Sequence, residues 1–164
     1  MYWRLKRSDF SKMSGDEKKA ALKTLTTGKL APGVLAYGDG QPIGWCSIGP
    51  RADFSPLDRS RTLKRVDDTP VWSIVCFFVA RPYRKQGVTA ALLSGAVDYA
   101  RQNGARVVEA YPIDMQSQQL EGHKLTGYSG YMGVASIFRA AGFEKISNAS
   151  ETQWIMRYTI PQEG

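Results

Sequence analysis

The stretch Trp72-Ser-Ile-Val-Cys-Phe-Phe-Val79 decides the fold, because it is almost entirely apolar and rich in β-branched and aromatic residues. Such a run is typical of a strand that is buried on both faces of a sheet. Pro82 follows closely and predicts the end of the strand, since proline has no N–H group to donate to a neighbour. The sequence therefore predicts a central strand over residues 72–79.

A helix is predicted directly after this strand. Its apolar residues recur at helical spacing, at Leu92, Leu93, Ala96, Val97 and Ala100. Asn103-Gly104 predicts the cap that ends it. Between strand and helix lies the basic turn Arg84-Lys-Gln-Gly-Val-Thr89. The first N–H groups of a helix have no partners within the helix and carry the positive end of its dipole, so this turn is a predicted phosphate site.

The turn resembles the central motif of the GNAT N-acetyltransferase superfamily, commonly Arg/Gln-x-x-Gly-x-Gly/Ala, which binds the pyrophosphate of acetyl-CoA. Residues 84–88 fit this pattern, whereas Thr89 stands where the family prefers glycine or alanine. The resemblance extends to the order of elements after the motif. It implies an α/β (α+β) fold in one domain, with a mixed central sheet splayed between two parallel strands and flanked by helices. The implied activity is acetyl transfer from acetyl-CoA to an amine.

A second segment, Tyr131 to Phe143, predicts a short helix that ends at a Gly142 cap. It resembles the second cofactor motif of the family, in which a helix ending in Gly-Phe lies beside the pantetheine arm. The resemblance also implies that backbone near the end of the central strand faces the pantetheine amides. The cofactor-binding residues implied in this way are Phe78, Val79, Arg81, Arg84, Lys85, Gln86, Gly87, Val88, Thr89, Ser136, Phe138 and Arg139.

The proton donor to the leaving sulfur is open in this sequence. The family often uses a tyrosine four residues before the Gly-Phe pair, and Phe138 occupies that position here. Phenylalanine has no proton to donate. Either another residue acts as the acid or none does, and the nearby hydroxyl groups belong to Tyr131, Tyr128, Tyr111 and Ser136. Tyr131 is the residue that we expect to be catalytic.

Glu109 is the candidate general base, because it is a lone carboxylate within the apolar run Val107-Val-Glu-Ala-Tyr111. Burial can tune a carboxylate toward base catalysis near neutral pH. The alternative is that Glu109 faces solvent or pairs with an arginine. Asp53, Asp114 and His123 are weaker candidates.

The remaining pattern predicts the other elements of the chain. A strand fragment is expected at 2–5, and a capping box at Ser14-Gly-Asp-Glu17 begins a helix that runs to about residue 28. Gly38-Asp-Gly40 predicts a hairpin. A second buried strand over 105–111 is expected to run parallel to the first, through a right-handed crossover. Two final strands are expected at 143–146 and 153–158, and residues 51–70 form a long irregular segment that is a candidate wall of the acceptor site.

Composition limits the class of protein. The 164 residues suit one domain spanning 1–164, with 43% hydrophobic and 23% charged residues. No apolar run approaches the roughly 20 residues of a membrane span, and residues 1–6 lack the apolar core of a secretion signal. We therefore expect a cytoplasmic protein with no membrane partner. Two cysteines, Cys46 and Cys76, and one histidine leave no predicted metal site, and both thiols are expected to be buried and reduced.

The net charge of +7 invites a nucleic-acid interpretation. The basic residues are scattered, however, and a positive surface also attracts the polyanionic end of CoA. We expect no nucleic-acid partner and a small-molecule or peptide amine as acceptor. A homodimer is compatible with the sequence. The main prediction is an acetyl-CoA-dependent N-acetyltransferase that transfers the acetyl group directly. The alternative is an acyl-CoA-binding regulatory module with little or no catalysis.

Overall fold

The computed structural model describes residues 1–120 and 127–162. The helices in chain order are α1 (Arg7–Lys12), α2 (Gly15–Thr26), α3 (Ser55–Arg59), α4 (Val88–Gln102) and α5 (Ala135–Ala140). The strands are β1 (Gly33–Gly38), β2 (Gln41–Pro50), β3 (Trp72–Val79), β4 (Val107–Ala110), β5 (Glu144–Asn148) and β6 (Trp154–Thr159). Short 3₁₀ turns cover Arg51–Asp53, Arg81–Tyr83, Gln118–Leu120 and Gly127–Met132.

The six strands form one mixed sheet in the order β1-β2-β3-β4-β6-β5. β3 and β4 are parallel, and the other neighbouring strands are antiparallel. The predicted mixed sheet with one central parallel pair is therefore confirmed. Among the described residues, no helix is long and apolar enough to cross a membrane.

β3 lies at the centre and is buried on both faces along its first half, as its sequence predicts. Ile74 and Phe77 point into the cluster that packs against α4. Val75 points to the opposite face, into a second cluster with Tyr111 and residues of the 51–70 segment. We call these two sides of the sheet the α4 face and the opposite face.

The predicted helix after β3 is present as α4, and it buries the five apolar residues that define its stripe. Gly104 follows it with φ +78°, and the Ala105 N–H donates to the Ala100 carbonyl at 3.0 Å. This is the C-terminal cap that Asn103-Gly104 predicts. α4 thus runs from the basic turn at one end of the sheet to a capped end at the other.

The predicted hairpin and capping box are also present. Asp39 and Gly40 have φ of +49° and +74°, the left-handed pair that a two-residue hairpin turn requires. At α2, the Ser14 hydroxyl accepts from the Glu17 N–H, and the Glu17 carboxylate accepts from the Ser14 N–H.

The N-terminal strand fragment predicted over residues 2–5 is wrong. The N–H groups of Arg4 and Leu5 both donate to the Met1 carbonyl, so this segment is a turn. The alternation of apolar and polar residues in this segment is explained by its contacts with distant residues. Trp3 packs against the cluster on the opposite face, and the Arg4 guanidinium lies over the Phe54 ring at 4.4 Å.

Two predicted boundaries are corrected. The helix predicted from residue 131 begins at Ala135, because Gly133 has φ +81° and interrupts the path from the preceding 3₁₀ turn. The strand predicted over 105–111 is ordered as β4 only over Val107–Ala110, since the Ala105 N–H is used by the cap of α4.

Residues 51–70 are more ordered than the sequence predicts. They contain a 3₁₀ turn and α3, and they bury three apolar side chains on the opposite face: Phe54, Leu57 and Leu63. The segment therefore covers the first half of β3 on that face and leaves the second half of β3 uncovered by its side chains.

Candidate active site

The site begins where β3 and β4 part. Their pairing covers only residues 72–74 of β3 and 108–110 of β4, although β3 continues to Val79. Past β4, Ile113 bonds instead to the backbone of residues 133 and 135, both at 2.9 Å. The second half of β3 is therefore left without β4 as a partner, and a groove opens along it.

This groove has a volume of about 420 Å³ and two banks. One bank is formed by β3 and the start of α4, with Phe77, Phe78, Val79, Arg84 and Thr89. The other is formed by the segment before and within α5, with Gly130, Tyr131, Gly133, Val134 and Ile137. Phe77 and Val79 belong to the α4 face, whereas Phe78 points to the opposite face, so both faces contribute to the lining.

The turn after β3 is held by its own side chains. Arg84 Nε donates to the Val79 carbonyl at 3.0 Å, and Gln86 Nε2 donates to the Pro82 carbonyl at 2.8 Å. Lys85 has φ +63°, a left-handed conformation that is strained for a residue with a side chain. These contacts fix the turn at the groove end of the sheet.

The N-terminus of α4 is open to a ligand. Gly87 is its N-cap with φ +79°, and no side chain caps the helix. A Cβ built on Gly87 would have no atom within 4 Å. The first N–H groups of α4 therefore face an unobstructed space beside Arg84 and Lys85, and neither of these residues takes part in an ion pair within the described chain.

The structure brings together most of the predicted cofactor residues. Phe78, Val79, Arg84 and Thr89 line the groove, and residues 85–88 form the turn that connects them. Arg81 lies in the 3₁₀ turn just after β3. Their role in binding CoA stays a prediction.

Three predicted cofactor residues lie elsewhere. Ser136 and Arg139 border a smaller cavity of about 230 Å³ on the far side of Val134, and Arg139 lies over the Trp154 ring at 5.2 Å. Phe138 is 0% exposed and packs edge-to-face against Phe77 and Phe143. It supports the groove from one layer behind Phe77 and does not line it.

Among the candidate acids, Tyr131 lies on the groove bank and is 44% exposed. Tyr111 is fully buried away from the groove, and burial, assisted by the charge of Glu109, raises the pKa of its phenol far above the usual value. His123 lies outside the described residues, as does the side chain of Tyr128. Tyr131 is therefore the described candidate whose hydroxyl could meet a ligand in the groove.

Glu109 does not line the groove. It pairs with Ser73 in the closed part of the parallel ladder and is 1% exposed. Its carboxylate accepts from Arg51 at 3.0 Å, from Arg157 at 2.8 Å and from the Tyr111 hydroxyl at 2.8 Å. The alternative that Glu109 pairs with an arginine is what the geometry shows, and Glu109 is not among the described residues that line the groove.

The two arginines extend this network to the 51–70 segment. Arg51 donates to Asp58 at 3.1 Å and to the Leu63 carbonyl at 2.7 Å. Both terminal nitrogens of Arg157 donate hydrogen bonds to the Asp67 carboxylate, at 2.7 and 3.0 Å. Sequence reasoning missed this network, because no local pattern shows that residues 51, 109 and 157 meet.

The other candidate bases are also placed away from the groove lining. Asp53 pairs with Arg4 at 3.6 Å, and Asp114 borders the smaller cavity. Cys46 points to the α4 face and Cys76 to the opposite face, so the two thiols stand on different sides of the sheet. Both are free, and burial raises the pKa of each.

Comparison with known proteins identifies the family of this chain. The model of the acetyltransferase (GNAT) family matches residues 2–121, which include β3, the basic turn and α4. No curated protein matches the sequence significantly.

Solved structures share the fold at low sequence identity. Ribosomal-protein-alanine N-acetyltransferase from Brucella melitensis is 18% identical, with a TM-score of 0.55 over 90% of this chain and 80% of its own. The Salmonella typhimurium acetyltransferase yncA, solved with its cofactor acetyl-CoA, is 16% identical, with a TM-score of 0.54 over 92% and 76%. Ard1 from Thermoplasma volcanium is 12% identical, with a TM-score of 0.51 over 98% and 89%.

Proposed function

The chain belongs to the acetyltransferase (GNAT) family, and we propose that it transfers the acetyl group of acetyl-CoA directly to the nitrogen of an amine. The observation that carries this proposal is the groove along the half of β3 that has no β4 partner, which leads to the uncapped N-terminus of α4. Acetyl-CoA carries a thioester, which suits the groove, and a polyanionic end, which suits the N-terminus of α4.

The pyrophosphate of CoA would bind at the turn before α4. The unpaired N–H groups at the start of the helix and its positive dipole end favour an anion there. Gly87 leaves the space that a phosphate needs for close approach, and Arg84 and Lys85 supply positive charge beside it. The Thr89 hydroxyl, at the family position of a glycine or alanine, can donate a further hydrogen bond.

The pantetheine arm and the thioester would lie in the groove. Backbone groups of β3 beyond its pairing with β4 are available to the amides of the arm and to the thioester carbonyl. Donors that face a developing oxyanion stabilise acyl-transfer transition states. In the reaction, the amine nitrogen bonds to the acetyl carbon, the carbon–sulfur bond breaks, and the amine proton is lost as CoA leaves as the thiol.

Tyr131 is the proposed proton donor to the departing sulfur. It is on the groove bank, half-exposed, and across the groove from Phe78. Phe138 cannot take this role, both because it lacks a hydroxyl group and because it is buried behind Phe77. Glu109 is held by two arginines, so the amine is expected to lose its proton to solvent without this carboxylate.

The test is a direct measurement of binding and turnover. Calorimetry with CoA and acetyl-CoA measures cosubstrate affinity. Release of free thiol from acetyl-CoA is then followed with polyamines, amino acids, aminoglycosides, arylalkylamines and peptides, each against a reaction without amine. Amine-dependent thiol release with an acetylated product supports the proposal.

The alternative, a module that binds acyl-CoA without catalysis, is not favoured. The only sequence feature that favours it is Phe138, which cannot donate a proton, and Tyr131 on the groove bank supplies a hydroxyl group instead. Tight CoA binding with no turnover across the whole panel would reverse this preference.

A further inference from the structure

The two faces of the sheet are available to different ligands. α4 begins on the α4 face, so a cofactor whose phosphates bind its N-terminus reaches the groove from that side. Phe78 lines the groove and points to the opposite face. An amine that meets the thioester must then approach from the opposite face, past Phe78.

This approach is lined by apolar side chains. Leu35 on β1 pairs with Trp45 on β2, which pairs with Phe78 on β3, so the three side chains lie side by side across the sheet. Tyr37 continues the surface toward the groove end of β1. We call Leu35, Tyr37, Trp45 and Phe78 the apolar row. Leu35 is 50% exposed, Tyr37 63% and Phe78 47%.

The apolar row carries no charge. None of the residues of β1, β2 and β3 is Asp, Glu, Lys or Arg, although the chain has 22 basic and 15 acidic residues. The described lining of the groove contains one charged residue, Arg84, which is positive. Among the described residues of the groove lining and the apolar row, a substrate with several positive charges would therefore meet one positive charge and no carboxylate.

The geometry points to an acceptor amine carried on an apolar body, aromatic or branched aliphatic, with no second positive charge. This inference rests on the proposed acetyl transfer. The body would lie on the apolar row, and its amine would extend past Phe78 into the groove. Polyamines and aminoglycosides are expected to be poor substrates, because their additional charges find no carboxylate among the described residues of the apolar row and the groove lining.

The same surface helps the chemistry. Only the neutral amine can attack the thioester, and apolar surroundings without counter-ions disfavour the protonated form of the amine. Affinity for the neutral form then selects the reactive species. The value of kcat/KM should rise with pH until the amine is deprotonated, without the need for a buried base in the protein.

The experiment measures thiol release with acetyl-CoA and 2-phenylethylamine, against spermidine and kanamycin at equal concentration. We expect kcat/KM for 2-phenylethylamine to exceed that for either polycation by at least about tenfold. Leu35→Asn should raise the KM for 2-phenylethylamine about fivefold, in keeping with lost apolar contact, and leave the KM for acetyl-CoA unchanged. Ile146→Asn, at a position of similar exposure (42% against 50%) on the far strand β5, is the matched control and should change neither KM.

Three outcomes overturn the proposal. A preference for spermidine or kanamycin excludes the apolar substrate class. Equal kinetics of the Leu35 and Ile146 variants show that the row does not touch the acceptor. A dimer in sedimentation that Leu35→Asn dissociates, with unchanged kinetics, assigns the row to a contact between copies of this chain.

Calorimetry separates these failures from failure of the function itself. If acetyl-CoA binds and another class of amine is acetylated, only the substrate class is wrong. If acetyl-CoA does not bind, the proposed function falls and the acceptor proposal falls with it.

Discussion

Arg51 and Glu109 form a salt bridge of 3.0 Å although their side chains are only 3% and 1% exposed. They are 58 residues apart, on opposite sides of β3 in the sequence. Glu109 stands at the closed end of the β3–β4 pair, and the Tyr111 hydroxyl bonds to both partners as well as to Ser73. The pair thus ties the 51–70 segment to the sheet next to the point where the groove opens.

Glu109→Gln tests whether this carboxylate is structural or catalytic. Removing the buried charge leaves Arg51 and Arg157 with only the more exposed Asp58 and Asp67 as counter-charges, so we expect a loss of about 3 kcal/mol in the free energy of unfolding. The kcat of the folded variant and its pH–rate profile should stay close to those of the wild type. Urea unfolding and thiol-release kinetics measure the two effects. A large fall in kcat with stability intact would restore Glu109 as a base.

Asp67 should make the stability depend on pH in the acid range. Two hydrogen bonds from Arg157 lower the pKa of Asp67 below its usual value of 3.8. A carboxyl group with a lowered pKa stabilises the fold fully above its unfolded pKa and loses this effect as pH falls toward the folded value. Asp67→Asn should therefore lower the Tm at pH 6, and the difference from the wild type should shrink below about pH 4. A constant difference between pH 6 and pH 2 would contradict this.

Gly87→Asp should abolish CoA binding while the fold is retained. The new side chain would place a negative charge where a phosphate must approach the start of α4. Gly104→Asp is the matched control. Gly104 lies at the other end of α4, its φ is +78° against +79° for Gly87, and a Cβ at either position would have no atom within 4 Å. Calorimetry should show at least a hundredfold weaker CoA binding for the first variant and little change for the second. Normal binding by the Gly87 variant would exclude the phosphate site.

Tyr131→Phe should lower kcat by about 10² if its hydroxyl protonates the sulfur, since general acid catalysis contributes roughly 10²–10⁴. The KM for acetyl-CoA should change little, because the ring and its groove contacts remain. Tyr158→Phe removes a hydroxyl from a ring that packs on Phe143, outside the groove, and is the control. A loss of less than tenfold for Tyr131→Phe would mean that CoA leaves as the thiolate without a protein acid.

The elements around the site could be predicted from local sequence. β3 over residues 72–79, the stripe and cap of α4, the hairpin at Asp39-Gly40 and the capping box at Ser14 all depend on neighbours within a few positions. Hydrophobic periodicity, proline and glycine act at that range. The phosphate turn belongs to the same class, because its residues are contiguous.

Only the tertiary structure decided which side chains are buried and which distant residues they contact. Apolar surroundings made Glu109 a candidate base, but its partners Arg51 and Arg157 come from 58 and 48 residues away. The family motif put Phe138 at the groove, yet packing against Phe77 and Phe143 buries it one layer behind. Residues 2–5 alternate like a strand but form a turn, in which Trp3 packs on the opposite-face cluster and the Arg4 guanidinium lies over Phe54. A sequence states what each residue is, whereas burial and pairing depend on which distant segment folds over it.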